Sequence, residues 1–126
     1  MTDVETLKYG RNILLSLHKS LIDFERGRYE NLHGRLNASQ FLNLLLENEE
    51  FAWLRKFSML IVEIDEMFYL RDGISQEMVA TNLSKMRQLV SMDDLDENFK
   101  AKYKNGVDND RASADSHSRL QALLDI

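Results

Sequence analysis

The chain has 126 residues, which predicts one domain, and its hydrophobic and charged fractions of 44% and 29% are ordinary for a globular protein. It contains no cysteine, which excludes disulfides, thiolate catalysis and the usual structural zinc sites. Its net charge of −5 repels phosphate groups and argues against a nucleic-acid partner. Proline is absent and only five residues are glycine, so the composition favours helices.

The first two helices have clear start signals. Thr2 and Glu5 have the spacing of a capping box, so we expect the first helix to begin there. We expect it to end near His33, because Gly34 is a natural terminator. Its apolar face is formed by Leu7, Leu14, Leu17, Leu21, Phe24 and Leu32. A shorter helix is predicted over Ala38–Glu47, with Asn37 and Gln40 as its capping pair.

The third helix, predicted over Glu49–Leu70, is the expected centre of the fold, paired with the first helix. Apolar side chains cover most of its circumference, which indicates neighbours on more than one side. Ser75 can cap a fourth helix. The core stripe of that helix is Val79, Leu83, Met86 and Val90.

The C-terminal third of the chain is more polar. Asp94 with Glu97 predicts the start of a fifth helix, and Asn105 with Gly106 predicts its end. Residues 106–118 contain few large apolar side chains and are interpreted as a linker, followed by a short terminal helix. Leu120, Leu123 and Leu124 have the spacing of a helical docking motif, although packing on the bundle is favoured.

These patterns together predict an all-α fold, a compact bundle of four principal helices plus one or two short accessory helices. Residues 1–104 form the bundle in this interpretation. Residues 105–126 form the polar linker and a short C-terminal helix packed on the same single domain. No targeting segment is visible, and the longest charge-free stretch, Leu36 to Leu46, is too short for the ~20 residues of a membrane helix. We therefore expect a soluble, cytoplasmic protein with no membrane partner.

The sequence contains no recognisable catalytic motif or metal-binding motif. His18 and His33 would lie ~22 Å apart on one straight helix, too far apart to share a metal ion. No glycine-flanked serine elbow or glycine-rich phosphate loop is present. We predict no metal and no cofactor, and we favour a non-catalytic protein over an enzyme.

One group of polar residues lies close to the predicted core. Arg28 falls within the apolar arc of the first helix, Glu25 lies at the edge of that arc, and Asp65 lies at the edge of the third helix's apolar arc. A charge beside a core requires a partner or water, so we expect Arg28 to reach a carboxylate, with Asp65 as first candidate and Glu25 as second. The favoured interpretation is a structural ion pair. The alternative is a small-molecule site in which Arg28 binds an anion near Tyr29.

A second group of residues predicts an interaction surface on the third helix. More apolar side chains spread around this helix than one neighbouring helix could cover, which indicates a homo-oligomer contact, most simply a two-fold dimer. The members of this surface are Phe51, Trp53, Met59, Tyr69 and Leu70. The leading hypothesis is a non-catalytic protein-interaction or regulatory module that binds a protein partner or itself. The alternative is a small-molecule-binding protein or enzyme with its site around Glu25, Arg28 and Asp65.

Overall fold

A computed structural model describes all residues, 1–126, and confirms the predicted all-α fold. The helices are α1 (Asp3–His33), α2 (Ala38–Glu47), α3 (Arg55–Phe68), α4 (Gln76–Val90), α5 (Glu97–Asn109) and α6 (Arg111–Leu124). A 3₁₀ segment, Glu49–Leu54, precedes α3. The chain contains no strand, and no helix is long and apolar enough to cross a membrane.

The termini of the first two helices lie where their capping residues predict. The Glu5 backbone N–H donates to Thr2 Oγ1 at 3.2 Å, and the Thr2 N–H donates to Glu5 Oε1 at 3.2 Å. The same reciprocal pair joins Asn37 and Gln40 at 2.8 and 3.0 Å. Gly34 ends α1 with a φ of +89°, a backbone conformation that glycine adopts without strain. These local interactions determine both boundaries of α1 and the start of α2.

The third predicted helix is divided into two segments, so the prediction of one continuous helix over Glu49–Leu70 is wrong. Asn48 caps the 3₁₀ segment by accepting from the Glu50 N–H at 2.8 Å. The Arg55 guanidinium donates to the carbonyls of Leu45 and Leu46, at 3.3 and 2.6 Å. These bonds hold the start of α3 against the end of α2. The α-helix therefore begins only at Arg55.

The start of the fifth helix lies two residues later than predicted. Asp96 is its cap and accepts from the Phe99 N–H at 3.1 Å. Asp94 accepts instead from the Asp96 N–H at 2.8 Å and from Lys56 Nζ at 2.6 Å. The expected capping box of Asp94 with Glu97 is therefore wrong, because Asp94 is used to attach this loop to α3.

The predicted polar linker is also wrong, because residues 106–118 belong to α5 and α6. Only Asp110 separates the two helices, and its side chain caps α6 by accepting from the Ser113 N–H at 3.1 Å. Gly106 does not end α5. It lies where α5 approaches α1 so closely that an added Cβ would stand 2.5 Å from Leu21 Cδ2. Its small size, and not its backbone freedom, is what the fold requires.

The long α1 helix is the centre of the bundle. It contacts α3, α4 and α5, but its most extensive contact is with α6. The first and third helices therefore do pack together as predicted, but they are not the main helix pair of the bundle. Leu7, Leu14, Leu17 and Leu21 on α1 are fully buried, whereas Leu32 near its end is exposed. An aromatic cluster of Trp53, Phe57, Phe99 and Tyr103 fills the space between α3 and α5, with neighbouring ring centroids 5.1–6.3 Å apart.

Candidate functional site

The structure brings Glu25 and Arg28 together, but with little of Arg28 buried. Arg28 Nη1 lies 3.4 Å from Glu25 Oε1, one turn away on α1. The Glu25 side chain is 6% exposed and that of Arg28 is 50% exposed. Burial raises the pKa of the Glu25 carboxyl, and the charges of Arg28 and Lys102 oppose that rise. The second candidate for the carboxylate partner of Arg28, Glu25, is therefore the observed one.

Asp65 is held by a different arginine. Arg11 Nε and Nη2 donate to the two Asp65 carboxylate oxygens, both at 2.9 Å, in a bidentate pair between α1 and α3. The first-choice prediction that Arg28 reaches Asp65 is thus wrong. In the antiparallel packing of α1 and α3, Arg11 lies opposite Asp65, and Arg28 lies ~25 Å farther along α1.

Tyr29 lies in yet another environment. Its ring packs against His33 and Phe51, with centroid distances of 4.3 and 5.7 Å. It lines a cleft of ≈ 490 Å³ between α1 and α2, and neither Glu25, Arg28 nor Asp65 lines that cleft. The four residues of the predicted polar site therefore do not converge on one pocket.

The predicted interaction surface separates into a buried and an exposed part. Phe51 and Trp53 are 1% and 2% exposed, so their assignment to a surface is wrong. Both lie in the 3₁₀ segment, which packs against α1 and α5. Met59, Tyr69 and Leu70 are exposed by 63%, 85% and 45%. Of these, Met59 and Leu70 line a depression between α3 and α4.

This depression, the α3–α4 groove, contains a wide cleft. The cleft has a volume of ≈ 560 Å³ and is lined by Glu63, Glu66, Met67, Leu70, Ser75, Glu77, Met78, Thr81 and Asn82. A shallower part of ≈ 410 Å³ continues from Glu63 along α3 to Lys56 and Met59, with Lys85 and Leu89 on the α4 side. Lys85 Nζ bridges to Glu63 Oε2 at 2.8 Å between the two parts.

Sequence reasoning missed the α4 side of the groove. Met78 and Asn82 were not singled out, although they lie four residues apart on the helix that carries the predicted core stripe. Met78 is 41% exposed, whereas Asn82 is 8% exposed. The Asn82 Nδ2 group donates to Met67 Sδ at 3.4 Å across the floor of the cleft. The only available signal was the position of Asn82 beside Leu83 in an apolar stripe.

Several buried polar groups elsewhere in the bundle form pairs, although the Trp53 indole nitrogen is buried without a hydrogen-bond partner. Tyr103 Oη and His117 Nδ1 lie 2.7 Å apart between α5 and α6. Ser20 Oγ and Ser113 Oγ lie 2.8 Å apart between α1 and α6, and the Ser113 hydroxyl donates to Asp110 at 2.7 Å. Burial raises the pKa of Tyr103 and lowers that of His117, because both charged forms lose hydration. These pairs join helices together and lie away from the groove.

Neither the α6 leucines nor the acidic side chains form a further candidate site. Leu120 and Leu124 are buried in the core, so these residues of the docking-like motif already have contacts within the chain. No three histidine, aspartate or glutamate side chains lie close enough together to hold a metal ion. No protein-family model, curated protein or solved structure matches this chain.

Proposed function

We propose that this protein is a non-catalytic interaction module that binds another protein through the α3–α4 groove. The observation that carries this proposal is the clustering of exposed apolar side chains on the two sides of one elongated cleft. These side chains are Met59, Leu70 and Met78. A partner helix lying in such a groove would remove them from water together.

The shape of the groove supports a protein partner more than a small ligand. Met59 and Leu70 lie eleven residues apart, which corresponds to ~17 Å along a helix axis. Small-molecule sites are usually enclosed and bury most of the surface of their ligand. The α3–α4 groove is instead open along its length, as a helix-binding surface is.

The alternative small-molecule site around Glu25, Arg28 and Asp65 has less support. Arg28 pairs with Glu25, whereas Asp65 pairs with Arg11, which lies ~25 Å from Arg28 along α1. An anion bound at Arg28 would therefore be out of reach of Asp65. The position of Arg28 next to Glu25 is consistent with a structural ion pair.

Self-association through the same surface stays a prediction. A two-fold contact across the groove would place the acidic side chains Glu63, Glu66 and Glu77 of two copies near one another. Like charges facing each other across an interface weaken it. This charge distribution favours a different partner over a second copy.

The test compares a groove variant with a matched surface variant. The double change Leu70→Ser and Met78→Ser removes two groove side chains, and Leu32→Ser with Leu95→Ser removes two exposed leucines elsewhere. Each protein is used as bait in the cells that produce it, and captured proteins are quantified by mass spectrometry. We expect one or more partners to be retained by wild type and by the Leu32/Leu95 variant but lost by the groove variant.

Two outcomes would contradict the proposal. Identical captured proteins for the groove and control variants would show that the groove binds none of them. Sedimentation equilibrium at tens of micromolar provides the second criterion. A wild-type dimer that becomes a monomer only in the groove variant would show that the groove binds a second copy of this chain, which is the two-fold dimer that the sequence predicts.

A further inference from the structure

The floor of the α3–α4 groove is adaptable and apolar at both ends. Met67 lies in the floor, and Met59 and Met78 lie on its two walls. Methionine is unbranched and has three rotatable bonds, so such a surface can adjust to the side chains of a partner. Leu70 closes one end of the cleft.

The rim of the cleft carries uncompensated negative charge. Three glutamates, Glu63, Glu66 and Glu77, line it, and no basic residue does. Glu63 is paired with Lys85, but neither Glu66 nor Glu77 has an ion-pair partner in the structure. Lys56 at the opposite end of the groove is engaged by Asp94 at 2.6 Å. The free charge of the groove is therefore negative and concentrated at the Leu70 end.

An unused hydrogen-bond acceptor lies in the same cleft. Asn82 is 8% exposed, and its only hydrogen bond is the one that Nδ2 donates to the weak acceptor Met67 Sδ. Its carboxamide oxygen accepts no hydrogen bond from the protein, and Asn82 is one of the residues that line the cleft. Because this oxygen is not fully buried, water reaches it, and a donor side chain of a partner can replace that water.

We propose that the occupant of the α3–α4 groove is an amphipathic helix with a basic polar face. This inference rests on the proposed function and adds the chemistry of the partner. The apolar face of the helix packs on Met59, Met67 and Leu70. Its lysine or arginine side chains meet Glu66 and Glu77, and one long donor side chain reaches the Asn82 oxygen. About three turns of helix span the ~17 Å from Met59 to Leu70.

The experiment selects the partner chemistry directly. A phage-displayed library of 14-residue peptides presents a fixed leucine face on a helical template, with all polar-face positions randomised. Peptides that bind the wild-type protein are retained. Peptides that also bind the Leu70→Ser/Met78→Ser protein are then discarded, because they bind outside the groove. We expect lysine and arginine to be enriched over aspartate and glutamate at polar positions.

Matched variants assign the enrichment to specific residues. For a selected basic peptide, Glu66→Gln with Glu77→Gln should weaken binding about fivefold, as expected for two exposed ion pairs. Asp23→Asn with Asp115→Asn changes net charge equally, at exposed carboxylates without ion pairs, and should alter affinity less than about twofold. Asn82→Leu should abolish the preference for a donor at one peptide position and weaken binding about tenfold.

Each remaining outcome is decisive. Selected peptides with acidic or neutral polar faces, or equal effects of the two double-charge variants, overturn the basic-helix proposal. If those peptides still require Leu70 and Met78, the groove remains an interaction surface and only the partner class is wrong. If no peptide is enriched over the groove variant, the basic-helix proposal fails, and the capture experiment judges the interaction module independently.

Discussion

The α5–α6 side of the bundle and the α3–α4 side treat buried polar groups differently. On the α5–α6 side, Tyr103 bonds to His117 and Ser20 bonds to Ser113, so each polar group finds its partner on another helix. On the α3–α4 side, Asn82 donates only to a thioether and leaves its oxygen unused. A polar pair between helices stabilises the fold, whereas an acceptor that only water reaches is available to a ligand.

The same contrast appears in the packing of apolar groups. Phe57 faces the aromatic cluster and is fully buried, whereas Met59, two residues later on α3, faces the groove and is 63% exposed. Two sides of one helix thus lie in two environments. The inner side contributes to stability, and the outer side is free to contribute to binding.

The largest expected effect is the difference in stability loss between a substitution on the inner side of α3 and one on its outer side. Phe57→Ala should lower the free energy of unfolding by about 3–5 kcal/mol, because it removes a buried ring and leaves a cavity among Phe99, Tyr103 and Trp53. Met59→Ala is the matched control and should change it by less than about 1 kcal/mol. Urea denaturation followed by circular dichroism measures both. Equal losses would show that the groove side is part of the core.

A smaller effect is expected from the buried polar pair. Tyr103→Phe keeps the ring but removes the hydroxyl that meets His117, so it should cost about 1–3 kcal/mol of unfolding free energy. A double-mutant cycle with His117→Leu isolates the pair. If Tyr103→Phe costs as much in the His117→Leu background as in the wild type, the 2.7 Å contact does not contribute to stability.

Stability should also depend on pH through the buried His117 and the partly buried His18. Burial lowers the pKa values of His117 and His18 below 6.5, so the unfolded chain binds more protons in the pH range below that value. The free energy of unfolding should therefore fall as pH decreases from about 7.5 to about 5.5, by at most about 1.4 kcal/mol per pH unit for each histidine. The raised pKa of Glu25 acts in the opposite direction as that carboxylate becomes protonated.

Nuclear magnetic resonance titration of the His117 ring, with unfolding curves at each pH, checks this prediction. His117→Gln should make the pH dependence shallower. A His117 midpoint above 6.5 would reverse the sign and contradict the burial argument.

The smallest effect concerns the ion pair between Arg11 on α1 and Asp65 on α3. Arg11→Ala should cost about 1 kcal/mol or less, because the Arg11 and Asp65 side chains are 27% and 36% exposed and solvent screens their attraction. Arg35→Ala removes an exposed arginine that has no ion pair, so it should leave the free energy of unfolding almost unchanged. Thermal unfolding compares the two variants. A loss of several kcal/mol for Arg11→Ala would make this pair part of the core.

The sequence by itself determined the fold class and the boundaries that depend on near neighbours. The capping pairs Thr2 with Glu5 and Asn37 with Gln40 join residues three positions apart, and Gly34 acts through its own backbone. Such signals are complete within one helical turn, so they can be recognised without knowing the rest of the structure.

Tertiary structure decided which polar segments become core and where the surface groove lies. Residues 106–118 have few large apolar groups, yet they are helical because Ser113 and His117 find buried partners on α1 and α5. Arg11, and not Arg28, meets Asp65 because α1 and α3 are antiparallel in one particular register. The groove exists because α3 and α4 leave Met59, Leu70 and Met78 uncovered. Each outcome depends on residues far apart in the chain, whose relative positions are set only when the helices pack.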